Sequence, residues 1–184
     1  MASGDDDRIP ELTEAETLRW RAVDPALPAM GEALNSGPPP PGDVGGAFAR
    51  LMELDIDHHK HRNALHIPSD AGDHAAAIEA ILRRIPDGWG RWLSVDAGWY
   101  PLVIATDKQL ALLDPHYRVQ QIKEKFGTLC YYCWLSIEDA DSELFDAMYA
   151  ITDDAERASA LICERCGEPG ILHQSRHVRV KTLC

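Results

Sequence analysis

Apolar residues recur at helical spacing in several stretches of the chain, and each predicts an amphipathic helix. Residues 13–23 (TEAETLRWRAV) read as a short helix, with Thr13 as cap and Glu16 three residues on completing a capping box. A second helix is predicted over 47–65, where Phe48, Leu51, Met52 and Ile56 recur at near-helical spacing. A third spans 73–85, with Ala77, Ile78, Ile81, Leu82 and Ile85 on one stripe, and Pro86-Asp87-Gly88 ends it. Residues 87–100 are rich in Gly and Trp and read as an ordered loop. Pro101 then suits the first turn of a helix that runs to about Leu113 and buries Val103, Ile104, Leu110 and Leu113.

Beyond Leu113 the period changes from helix-like to strand-like. Residues 117–125 alternate as a strand, with Tyr117, Val119 and Gln121 on one side. Phe126-Gly127-Thr128 form a turn, and 129–135 (LCYYCWL) fit a buried strand, so the two make a hairpin. A long helix from 141 or 142 to 162 follows, capped by Ser142, with Leu144, Phe145, Met148, Ile151 and Ala155 on its apolar side. It leads directly into Cys163. The prolines and glycines of 36–46 (SGPPPPGDVGG) cannot continue a helix and mark a linker. The expected organisation is therefore an acidic segment 1–46 with a short helix and this linker, a helical region 47–97, and an α+β region 98–184.

Composition narrows the class. Of 184 residues, 45% are hydrophobic, enough for a packed core. No run approaches the roughly 18 apolar residues of a membrane span. The acidic start, with Asp5, Asp6 and Asp7, has no apolar stretch of the kind a secretion signal needs, so a cytoplasmic location is expected. A net charge of −12 opposes broad binding to nucleic acid, which requires neutralisation of phosphates. Residues 170–184 hold no acid and carry Arg176, Arg179 and Lys181, the one basic patch along the chain.

The strongest chemical signal is Cys163-Glu164-Arg165-Cys166-Gly167. Two thiols three residues apart can face one ion when the backbone turns tightly between them, and a glycine permits that turn. Thr182-Leu183-Cys184 brings a third thiol after a short predicted hairpin. Knuckle, hairpin and third cysteine follow the order of a treble-clef zinc finger, and a structural Zn²⁺ is the expected cofactor. A closed tetrahedral site needs a fourth ligand. The candidates are His173, His177, Cys130, Cys133, the carboxylate at Cys184 or a residue beyond it, and His177 on the presumed hairpin is preferred. Cys130 and Cys133 lie three apart on a strand, so their sulfurs point to opposite faces and read as ordinary packed thiols.

Residues 98–184 resemble a family of small uncharacterised proteins of bacteriophage and bacterial genomes. The matching residues are Gly98-Trp99-Tyr100-Pro101-Leu102, the segment 119–129 (VQQIKEKFGTL) with Tyr131-Tyr132, then 163–170 (CERCGEPG), and Lys181-Thr182-Leu183-Cys184. The resemblance implies the same C-terminal treble-clef-like knuckle and carries no established activity, so it bears on fold and metal rather than on chemistry. Members of the family continue past the third cysteine to a histidine and have arginine in place of Cys130.

Other candidates are weaker. Asp57, His58 and His61 could serve a metal-dependent hydrolase, but a solvated helix face explains them as well. Trp89, Trp92, Trp99 and Tyr100 fit a core or a ligand pocket. Lys123 and Lys125 flank Glu124 on alternate sides of the strand and, with Arg176, Arg179 and Lys181, could contact phosphates or a partner. No phosphate loop, nucleophile elbow or His-Glu-x-x-His pattern is present. The expected fold is α+β, a helical N-terminal region followed by a helix-packed hairpin and a zinc knuckle. The expected function is that of a non-catalytic zinc-binding accessory protein whose partner is another protein. The alternatives are a nucleic-acid binder using the basic C-terminal hairpin, and a metal-dependent hydrolase.

Overall fold

A computed structural model of the protein describes residues 9–23, 57–137, 141–174 and 180–184. It is a mixed helix and strand structure and divides into two units, Met1–Ala64 and Leu65–Cys184. The division falls at 64/65, not after 46 or 97, so the expected helical region 47–97 is split. The linker at 36–46 and the first part of the helix expected over 47–65 lie outside the described residues.

Two helices are described in the first unit. Helix α1 (Glu14–Val23) begins with the capping box read from the sequence. The Glu16 amide donates to Thr13 Oγ1 at 3.2 Å, and the Thr13 amide donates to Glu16 Oε2 at 2.7 Å. Helix α2 (His58–Asn63) is capped by Asp57, whose Oδ1 accepts from the Lys60 amide. Lys60 Nζ reaches Glu16 Oε2 at 2.7 Å and ties α2 to α1. That ammonium and the Thr13 donors pull the Glu16 carboxyl down to about 2.

The second unit carries the chemistry. A 3₁₀ turn at Gly72–His74 leads into α3 (Ala75–Leu82), and a second at Ala97–Trp99 leads into α4 (Tyr100–Leu113). Strands β2 (Arg118–Lys125) and β3 (Thr128–Trp134) pair antiparallel, and β1 (Leu93–Ser94) adds to β2 in parallel. Helix α5 (Ser142–Ser159) packs on α4 and β3. One face of the sheet meets the helices, in a core of Ile78, Ile81, Leu82, Trp99, Val103, Leu110, Val119, Ile122 and Leu129. Strands β4 (Ile171–Gln174) and β5 (Val180–Leu183) form the expected C-terminal hairpin.

Several expectations shift in register. Gln121 does not follow Tyr117 and Val119 into the core. Val119 pairs with Cys133 and Gln121 with Tyr132, so Gln120 is an extra residue, a β-bulge that flips the alternation. Ile122 becomes the next buried position, opposite Tyr131. Helix α5 is capped by Asp141, not Ser142: Asp141 Oδ1 accepts the Leu144 amide at 2.9 Å. The helix also stops at Ser159, whose buried hydroxyl accepts the Leu129 amide and donates to the Glu156 carbonyl. Trp99 and Tyr100 belong to the core, while Trp89 is exposed and meets Trp134 edge to face at 5.4 Å.

Polar groups inside this unit are paired. The Tyr117 hydroxyl lies 2.7 Å from that of Tyr131 and donates to Asp107 Oδ1, which in turn accepts from Arg84 Nε. Asp114 closes the sheet against the end of α4, accepting the Ser136 amide and hydroxyl and the His116 amide. Burial opposes its charge, but these donors outweigh burial and hold its carboxyl below the ordinary range. Among the described residues no helix is long and apolar enough to cross a membrane.

Candidate metal centre

The knuckle forms where the chain leaves α5. The Gly167 amide donates to the Cys163 carbonyl at 2.9 Å, and the Cys163 amide donates to the Glu168 carbonyl at 2.7 Å. Gly167 adopts φ +80°, a conformation that side-chain-bearing residues avoid, and this lets the chain fold back at once. Strand β5 returns alongside, with the Glu164 amide on the Thr182 carbonyl, and delivers Cys184.

The result is that the sulfurs of Cys163, Cys166 and Cys184 lie within 4.8 Å of one another. Sγ of Cys166 and Sγ of Cys184 are 3.6 Å apart. Thiolates on a tetrahedral ion with bonds of ~2.3 Å stand about 3.8 Å apart, whereas a disulfide needs about 2.05 Å. The spacing therefore suits an ion held between sulfurs. No other group of three or more metal-capable His, Cys, Asp or Glu side chains occurs among the described residues.

The electrostatics favour a thiolate at Cys163. Burial opposes ionisation there, but hydrogen bonds from Cys166 and from the amides of Cys184 and Arg165 outweigh it and bring the thiol down to about 6. Cys184, beside the other two sulfurs, is pushed up to about 11. Three adjacent thiols cannot all ionise without a cation between them, so this cluster could hold a metal ion.

Glu164 serves the knuckle differently. It is fully buried, its Oε2 lies 2.5 Å from Lys181 Nζ, and its Oε1 accepts the Asp96 amide at 3.3 Å. Lys181 also reaches Glu124 at 3.5 Å. Sequence reasoning had no signal for this buried pair, whose members lie 17 residues apart.

The knuckle is docked on the core at close quarters. The Gly98 amide donates to the Glu164 carbonyl at 2.8 Å, Trp99 Nε1 donates to the Ile162 carbonyl at 2.8 Å, and Thr182 Oγ1 donates to the Gly127 carbonyl at 2.7 Å. A Cβ on Gly98 would fall 2.3 Å from the Cys163 carbonyl oxygen and 2.4 Å from the Gly167 nitrogen. Both are backbone atoms and cannot swing aside. Gly98→Ala should therefore lower stability by at least about 1–3 kcal/mol and reduce the metal content of the purified protein. Thermal denaturation with elemental analysis checks this, and a midpoint and metal content equal to wild type would refute the docking.

The remaining predicted positions distribute as follows. His177, Arg176 and Arg179 lie outside the described residues. His173 sits on exposed β4, and Cys130 and Cys133 stand on opposite faces of β3; none joins the cysteine group. Burial pushes the Cys133 thiol up to about 12, so it is inert packing. Asp57 is occupied as a helix cap, and the Asp57–His61 segment forms no ligand group among the described residues. Lys123 and Lys125 stand on the outer sheet face. Comparison of the chain with protein families, curated proteins and solved structures yields no match.

Proposed function

We propose that the chain is a non-catalytic accessory protein whose C-terminal end is a treble-clef-like knuckle closed by a structural Zn²⁺. The observation that carries this reading is the convergence of three sulfurs, from a Cys-x-x-Cys turn and the end of a hairpin, at the spacing of metal ligands. Soft thiolates select zinc over hard cations. His177, in the segment joining β4 to β5, is the proposed fourth ligand, because structural zinc sites are closed. The resemblance to the phage and bacterial family supports the same knuckle.

A structural role is favoured over a hydrolytic one by the environment of Glu164. A zinc hydrolase needs a carboxylate free to take a proton from bound water, and Glu164 is buried and engaged by Lys181 and the Asp96 amide. The partner is proposed to dock on the second unit through a surface that the knuckle stabilises. The sequence reading favoured a protein partner, but the outer face of the β2–β3 hairpin favours nucleic acid.

Elemental analysis of protein purified under reducing conditions tests the metal. One zinc per chain is expected for wild type and for Cys130→Ser, and none for Cys166→Ser. After cobalt substitution, His177→Ala should change the visible ligand-field spectrum. Wild-type protein without zinc would overturn the reading.

A further inference from the structure

We propose that the outer face of the β2–β3 hairpin binds single-stranded nucleic acid; this rests on the reading of the chain as a binding protein. The helices cover one face of the sheet. On the other face Arg118, Lys123 and Lys125 stand on β2 opposite Trp134, Cys130 and Thr128 on β3. Neither strand places Asp or Glu on this face, since Glu124 pairs with Leu129 on the side of the core. In a chain with 30 acids against 18 Lys and Arg, an acid-free face with three cations is a local reversal of sign. At physiological salt a charge is screened over about 8 Å, so a ligand in contact senses this face more than the net charge. Two acids border it: Glu156 accepts from Thr128 Oγ1 at 3.2 Å and acts on the Tyr132 hydroxyl, and Glu124 Oε1 accepts the Gly127 amide of the turn at 2.7 Å.

The aromatic residues complete the chemistry. Tyr132 and Trp134 are two residues apart on β3, so they stand on the same face about 6.8 Å from each other. They are 38% and 46% exposed, and Trp89 extends the row against Trp134. Lys123 Nζ lies 5.4 Å from the centre of the Tyr132 ring. Rings displayed on a sheet with cations between them suit stacked bases and a phosphate backbone, and stacking asks for unpaired bases. An acidic polypeptide would satisfy the cations but not the rings.

The hairpin turn is an independent pointer. Phe126 and Gly127 occupy its two central positions with φ of +53° and +82°. Such turns favour Asn-Gly or Asp-Gly, and a bulky residue in the left-handed region is strained. Phe126 gains little burial in return, being 68% exposed, with Lys125 Nζ 5.5 Å from its ring. A strained, displayed ring beside a cation is explained by a ligand that stacks on it.

The test titrates the full chain, with its zinc content measured on the same sample, with a short oligothymidylate while following tryptophan fluorescence. Binding with quenching is expected, weakening as salt rises. Lys123→Ala with Lys125→Ala should reduce the slope of log K against log salt by about 1.4, two phosphate contacts at about 0.7 each. Tyr132→Ala should weaken binding about tenfold. Phe126→Asn should weaken binding while raising the melting temperature, a pair of opposite effects that a purely structural role would not give. The proposal is overturned if the zinc-loaded protein does not bind the oligonucleotide at low salt. It is equally overturned if polyglutamate binds as well as oligothymidylate, which would mark an acidic protein partner, or if the face proves to be covered by a second copy of the chain. These failures leave the zinc reading standing, while absence of zinc sinks that reading alone.

Discussion

Treated with a zinc chelator under reducing conditions, the protein is expected to lose the order of residues 162–174 and 180–184 and a large part of its thermal stability. The reasoning starts from the sulfurs. Cys163 is buried and flanked by amides that favour its thiolate, while Cys166 and Cys184 lie at its side. Without a cation these groups must share protons or repel. With one, binding supplies an apparent 10–16 kcal/mol, roughly the values seen for structural zinc in isolated fingers. That is comparable with the roughly 5–15 kcal/mol that stabilises a whole domain. Besides the docking hydrogen bonds and the Glu164–Lys181 pair, the segment has little apolar burial to hold it. All four residues of β4 are exposed, and β5 buries only Thr182. Cys163→Ser should reproduce the effect of chelation, with rapid amide exchange at Glu164, Gly167 and Gly170, whose hydrogen bonds close the knuckle. Exchange in α4 and β2 should remain slower, because their core of Trp99, Val103, Val119 and Ile122 does not involve the metal. Cys133→Ala controls for the loss of a thiol and should keep its zinc. An unchanged melting temperature after complete removal of zinc would show that the metal does not build the fold.

Much of this arrangement was legible from local pattern, because the forces behind it are local. The capping box at Thr13 and Glu16, the stripe on α3, Pro101 at the start of α4 and the divergence of Cys130 from Cys133 depend on residues within one or two turns or on strand parity. What escaped depends on partners far along the chain. The bulge at Gln120 is visible only once β3 is aligned, since its effect is to bring Ile122 under Tyr131. Strand β1 is two residues long, too short for a period, and exists because β2 lies beside it. The knuckle was read from its cysteines, but its docking was not. Gly98 is required by backbone atoms of Cys163 and Gly167, more than 60 residues later, and no spacing rule connects them. Phe126 could be read as part of a turn, but not as a strained residue held out to solvent.

Lys181→Met is expected to be among the most damaging single changes outside the cysteines. Glu164 is fully buried, and Lys181 is its only described cationic partner, at 2.5 Å. Deleting one member of a buried pair leaves the other charge without compensation, at a cost of about 3–5 kcal/mol. For a unit of this size that corresponds to a melting temperature lower by on the order of 10–20 °C. The reverse change should cost much less. In Glu164→Gln the amide oxygen can still accept the Asp96 amide, and Lys181, about one-third exposed, keeps access to water and to Glu124. The asymmetry follows from position alone, because the carboxylate cannot reach solvent and the ammonium can. The double variant Glu164→Gln with Lys181→Met should recover most of the loss, since no buried charge remains, which corresponds to a coupling of about 3 kcal/mol between the two sites. Chemical denaturation of the four proteins measures the cycle, with zinc content monitored so that a lost metal is not mistaken for a lost ion pair. If Glu164→Gln proves as costly as Lys181→Met, the asymmetry is absent, and the pair contributes through the attraction between its two charges and not through the isolation of the buried carboxylate.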